Sequence, residues 1–193
     1  MAHAPLKQPG AWTYDDLFLL PDDGTRYEII EGELYEMPSP TAAHATVIIN
    51  LIGFLLPIVT RLGGRVYTAS LDVFVPGGTP VIPDLLVVLP ESSARVIRRG
   101  VEGPPDLVIE VLSPSNRGHD LLTKRALYGR AGVREYWIVD PEARTFEVMT
   151  LDGDVLRGSE TNPAGGFVTS PLLAGIEIPL AAVFVGLDRI ADE

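Results

Sequence analysis

The run Asp106-Leu107-Val108-Ile109-Glu110-Val111-Leu112 restricts the fold of this chain more than any other segment. It is apolar on both parities, the pattern of a strand covered on both faces rather than of one with a wet side. Residues 120–131 follow with helical spacing and a stop at Gly132. Glu135-Tyr136-Trp137-Ile138-Val139-Asp140 then reads as another strand. Strand, helix, strand in one short span is a βαβ unit, so the two strands are expected to be parallel with a right-handed crossover. The expected class is therefore α/β, a mixed sheet carrying helices on its faces.

Other elements fall around this unit. Tyr27 to Met37 reads as a hairpin turning at Glu31-Gly32, and Thr41 can cap a helix that runs to about Leu62 before Gly63-Gly64. That helix is apolar all round at its centre, which predicts burial, and Pro57 predicts a kink or an early end. Arg65–Phe74 and Val81–Leu89 read as neighbouring strands, and residues 91–105 as loop with at most one helical turn. Thr145–Leu151 is a further strand, with Asp152-Gly153 as a hairpin signal and an apolar tail that packs back. The whole reads as a single domain, 1–193, with its core at about 25–151.

Composition narrows the chemistry. The chain is 46% hydrophobic, too apolar for a disordered protein, and has no cysteine, which excludes disulfides, Cys-ligated zinc and a thiol nucleophile. The N-terminus lacks a basic region followed by an apolar one, and the apolar stretch Val47–Val59 is interrupted by Asn50, Gly53 and Pro57, so it is expected to be too short for a bilayer. A soluble, cytoplasmic protein with no membrane partner is expected. The net charge of −11 argues against nonspecific coating of nucleic acid, though not against a local basic cleft or a metal-screened site.

Three charges stand where apolar residues are expected. Alternation places Glu110 on a face with Val108 and Leu112, and Asp84 heads the apolar run Leu85–Leu89. A helical projection sets Lys124 on one stripe with Leu121, Leu127, Tyr128 and Ala131, in the middle of the sheet-facing side. Of the 15 basic residues only Lys7 and Lys124 are lysines. Buried charges need partners. Two readings meet that need: a structural ion pair that fixes the helix to the sheet, or carboxylates holding a metal beside an ammonium.

Several of these segments taken together resemble the Uma2 family. They are Tyr27-Glu28-Ile29-Ile30-Glu31-Gly32-Glu33-Leu34, Met37-Pro38-Ser39-Pro40-Thr41 with His44, Pro83-Asp84, Glu110-Val111-Leu112-Ser113-Pro114-Ser115 through Asp120, Lys124 and Tyr128, and Ala131 to Pro141. These are bacterial proteins also described as restriction endonucleases, with the PD-(D/E)XK nuclease fold, and the likeness covers roughly residues 12 to 150. It implies a restriction-endonuclease-like core with a βαβ crossover and an N-terminal hairpin extension. Residue by residue, it makes Pro83-Asp84 the PD and Glu110 the second acid. Leu112 stands where the superfamily usually has lysine, and Lys124, from the following helix, is the implied substitute.

The activity so implied is Mg²⁺-dependent hydrolysis of DNA phosphodiesters, with Mn²⁺ as an alternative ion. Asp84, Glu110 and Lys124 would be catalytic. Asp84, Glu110 and the backbone carbonyl of Val111 would bind the metal, with Glu33 as an additional acidic ligand. Arg98 and Arg99 of the only basic cluster, together with His44 and His119, are the expected substrate contacts. A homodimer is expected, letting two sites address two strands, on the strength of exposed apolar and aromatic residues near Tyr136-Trp137 and the tail. The alternative is a nuclease-fold binding module that does not cut, its charged triad structural.

Overall fold

Alternation along the 106–112 run sorts the core into two layers of side chains. The structure, a computed structural model, describes residues 10–37, 39–68, 71–76, 80–113, 120–158, 162–163 and 165–191, without the side chains of 120–121 and 162–163. Strands β1 (Arg26–Ile30) and β2 (Glu33–Met37) form the antiparallel hairpin, with Ile30 opposite Glu33 and Glu28 opposite Tyr35. The central sheet uses β3 (Arg65–Thr68), β5 (Leu85–Val88), β8 (Leu107–Val111), β9 (Glu135–Asp140), β10 (Thr145–Asp152) and β11 (Val155–Gly158). Their order is β11-β10-β9-β8-β5-β3, with a short β12 (Asn162–Pro163) also on β10. β8 and β9 are parallel, as a βαβ crossover requires, and every other pairing in the sheet is antiparallel.

Leu107, Ile109 and Val111 face one side, where they meet Val47, Leu51, Leu55 and Val59 of helix α1 (Ala42–Arg61). Val108 and Leu112 face the other, where Leu127 and Tyr128 of the crossover helix Arg125–Ala131 pack. Burial on both faces explains why this strand is uniformly apolar apart from Glu110. The crossover helix opens with a π-helical turn over Asp120–Lys124 and stops at Gly132, whose φ of 94° is costly for any residue with a Cβ.

Several expectations require correction. Arg65–Phe74 is not one strand: β4 (Asp72–Phe74) leaves the central sheet and joins a separate three-stranded sheet. The other members, β6 (Arg95–Ile97) and β7 (Gly100–Glu102), lie in the segment expected to be loop. Three-residue strands carry too few side chains to show a period of two. Helix α1 continues past Pro57 to Arg61, and its length and composition suffice to cross a membrane, since Asn50, Gly53 and Pro57 do not break it. Nor is α1 buried all round: Ile49 is 63% exposed and Leu56 49%. Finally, Tyr136 and Trp137 are fully buried, so the aromatic surface invoked for a dimer is absent there.

The tail packs back as expected. Strands β13 (Phe167–Ser170) and β14 (Ile176–Pro179) and the helical turn Leu180–Val183 place Val168, Leu173, Ile178 and Val183 in the α1-side core. Glu135 fastens this tail to the sheet. Its carboxylate accepts from the Trp137 indole (2.6 Å), the Ser170 hydroxyl (2.7 Å) and the Leu172 amide (2.9 Å). Burial raises the carboxyl above its ordinary 4.5, against the lowering effect of those donors. A raised acid binds its proton more tightly folded than unfolded, so its stabilising contribution is full at low pH and is lost as pH rises through the raised value. Denaturant titrations from about pH 4.5 upward should show that decline in the wild type, and Glu135→Gln should flatten it.

Candidate active site

Lys124 is buried, 3% exposed, and its Nζ lies 3.1 Å from Glu28 Oε2 and 3.2 Å from Glu110 Oε1. Three elements build this cluster. β8 presents Glu110 on its crossover-side face, the last turn of the π-helical segment presents Lys124, and β1 of the hairpin presents Glu28. Each carboxylate has a second donor. The Ile82 amide donates to Glu28 Oε1 at 2.8 Å, and the Tyr128 hydroxyl donates to Glu110 Oε1 at 2.9 Å. Burial first, then the negative charges of Glu110 and Glu28, push the Tyr128 phenol well above its usual range. Tyr128 therefore stays protonated at any working pH and remains a donor.

Asp84 stands at the mouth of the same region, just before β5. Its Oδ2 accepts from the Val111 amide at 2.8 Å, so the carboxylate is fixed beside the residue that follows Glu110. His44 Nε2 approaches the same oxygen to 3.2 Å. Thr41 caps α1 by accepting from the His44 amide, and the first turn so fixed carries the imidazole toward Asp84. Asp84 and His44 keep side-chain exposures of 18% and 14%, which leaves this edge open to solvent while the Lys124 cluster is closed.

The expected residues thus divide. Glu110 and Lys124 meet directly, and Asp84 joins them through the Glu110-Val111 backbone, with His44 as an added neighbour. Glu33 shares its hairpin face with Ile30 but is only half-buried; the acid that β1 delivers to the lysine is Glu28. Glu28 was not singled out from the sequence. The available signal was its parity with the buried Ile30, among hairpin acids at 31, 33 and 36. Arg98 and Arg99 are exposed in the turn between β6 and β7, where the Arg99 guanidinium sits 4.4 Å over the Phe74 ring. Arg95, in the same basic cluster, is paired with Glu102. His119 and Ser115 lie outside the described residues, as does the side chain of Asp120.

The donor set suits a hard divalent cation in kind, since Asp84, just before β5, and Glu110, on the adjoining β8, supply carboxylate oxygens. Among the described residues, however, no three His, Asp or Glu side chains form a ready-made metal cage. A cation here would complete its shell with backbone carbonyl, water or substrate oxygens, as Mg²⁺ commonly does.

The fold has a counterpart among solved structures, a protein from Anabaena variabilis described as "a putative nuclease belonging to DUF820". The two share 20% identity and a TM-score of 0.72, over 91% of this chain and 98% of that one. At that identity the likeness carries the fold, a restriction-endonuclease-like α/β architecture. No curated protein matches the chain. The Uma2 family, described as "Putative restriction endonuclease", matches residues 14–181. With that match spanning the hairpin, both acidic strands and the crossover helix, the chain belongs to the Uma2 family.

Proposed function

We propose that this protein is a Mg²⁺-dependent endonuclease that hydrolyses phosphodiester bonds in DNA, with Mn²⁺ able to replace Mg²⁺. The observation that carries the reading is a buried ammonium held by two carboxylates beside the half-buried Asp84, each of the three carboxylates anchored by a backbone or phenol donor. In this reading Asp84, Glu110 and the Val111 carbonyl hold the cation. Once bound, it would polarise the scissile phosphate and acidify a coordinated water. Lys124 supplies fixed positive charge beside the acids, suited to the negative charge that grows on phosphoryl oxygens. Glu28 and Tyr128 keep Lys124 and Glu110 in place, and His44 steadies Asp84 on the open side. Arg98 and Arg99 offer a local positive edge on a chain of net charge −11, where a DNA backbone could be received.

A second reading is favoured by one observation. Lys124 is already paired with two glutamates, which is also how a purely structural charge triad looks. The test is calorimetric titration of Mg²⁺ and Mn²⁺ into the protein beside a supercoiled-plasmid assay. The nuclease reading expects saturable binding and nicking that depends on the same metal. Binding without nicking leaves the site with a different substrate. If neither metal binds, the triad is structural and the nuclease reading fails.

A further inference from the structure

The outer face of α1 is out of keeping with its surroundings. From Ala42 to Thr60 the helix carries no Asp, Glu, Lys or Arg, although the chain as a whole is strongly acidic. Val47, Leu51, Leu55 and Val59 fill the core, yet Ala45, Ile49, Gly53, Leu56 and Thr60 are exposed along the opposite side. Helices that are apolar all round are covered all round. Val185, 60% exposed, extends the patch, because the Asn50 side-chain amide donates to the carbonyls of Val183 and Val185 and holds that segment alongside the helix.

We infer that this face is a two-fold interface between two copies of the chain, packed α1 against α1 in antiparallel fashion. The pattern is self-complementary, as an isologous contact demands. An axis crossing the helix between Ile52 and Gly53 sets Ile49 opposite Leu56 of the second copy, and Ala45 opposite Thr60 of the second copy. Large residues meet at intermediate distance from the axis and small ones toward the ends. At the centre, nothing lies within 4 Å of where a Gly53 side chain would begin, so a neighbouring backbone can come close. The exposed fractions of these side chains sum to on the order of 500 Å² per copy, so about 1,000 Å² for the pair, which reaches the threshold for a specific interface. Charge selects the occupant. A neutral stripe imposes no repulsion between two acidic molecules, whereas a lipid surface would meet a helix whose one Lys or Arg is Arg61 in the last turn, not the cationic rim that interfacial helices carry.

Sedimentation equilibrium on the intact protein is the test. The wild type is expected to be a dimer at micromolar concentration. Ile49→Glu and Leu56→Arg are each expected to weaken it by about 100-fold or more, since a charge is then buried unpaired. Mixing those two variants should restore a heterodimer, because position 49 of one copy faces position 56 of the other. The chain has no cysteine, so Gly53→Cys adds a lone thiol that should cross-link under mild oxidation, while Val155→Cys, on another face, should not. A monomeric wild type overturns the inference, as does a dimer indifferent to both substitutions. Flotation of a monomeric wild type with phosphatidylcholine vesicles would assign the face to lipid and also overturn it.

Discussion

Lys124→Met should lower stability by about 3–5 kcal/mol, the cost of leaving buried charges without their partner. For a chain of this size that corresponds to a fall of about 10 °C in Tm. The cause is specific. Glu28 and Glu110 share the ammonium at 3.1 and 3.2 Å, and without it two carboxylates face one another in a region closed to water. Adding Glu28→Gln to Lys124→Met should recover part of the loss, because only one buried charge remains. Differential scanning calorimetry of the two variants checks this. Plasmid nicking by the double variant then separates roles: loss of nicking in a folded protein assigns Lys124 to the chemistry, and retained nicking leaves it structural.

Asp84 should behave in the opposite way, with large effects on activity and small ones on folding. Asp84→Asn is expected to reduce metal-dependent nicking by about 10³-fold, several kcal/mol of transition-state stabilisation, and to abolish calorimetric metal binding. The amide oxygen of asparagine still accepts from Val111, so stability should change little. Asp84→Ala removes that acceptor as well and should add about 1–3 kcal/mol of destabilisation for the amide left unsatisfied. A difference between the Asn and Ala variants in melting but not in activity would separate the anchoring role of the carboxylate from its proposed ligand role.

The sequence made the centre of the molecule legible because two periodicities agree there. A strand apolar on both parities needs cover on both faces, so its lone acid, Glu110, had to be buried and paired. The helical stripe named Lys124 as the partner, and the structure joins them. Glu28 escaped notice because a hairpin with acids at 28, 31, 33 and 36 does not say which one points inward until its register against the body is known. The small sheet of β4, β6 and β7 was hidden for a different reason: its strands are shorter than the window over which alternation can be seen. Apolarity all round α1 predicts full burial, but it marks one face for the core and leaves the other exposed.

The site draws Glu28, His44, Asp84, Glu110 and Lys124 from five elements spread over half the chain. Glu110 and Lys124 meet within the single βαβ unit, 14 residues apart, whereas Glu28, His44 and Asp84 reach the cluster from earlier in the chain, and the last contributor follows nearly a hundred residues after the first. A growing or partly unfolded polypeptide therefore holds the individual side chains but none of the constellation. The constellation exists only once the crossover helix has docked against β8, so the site and the fold form together.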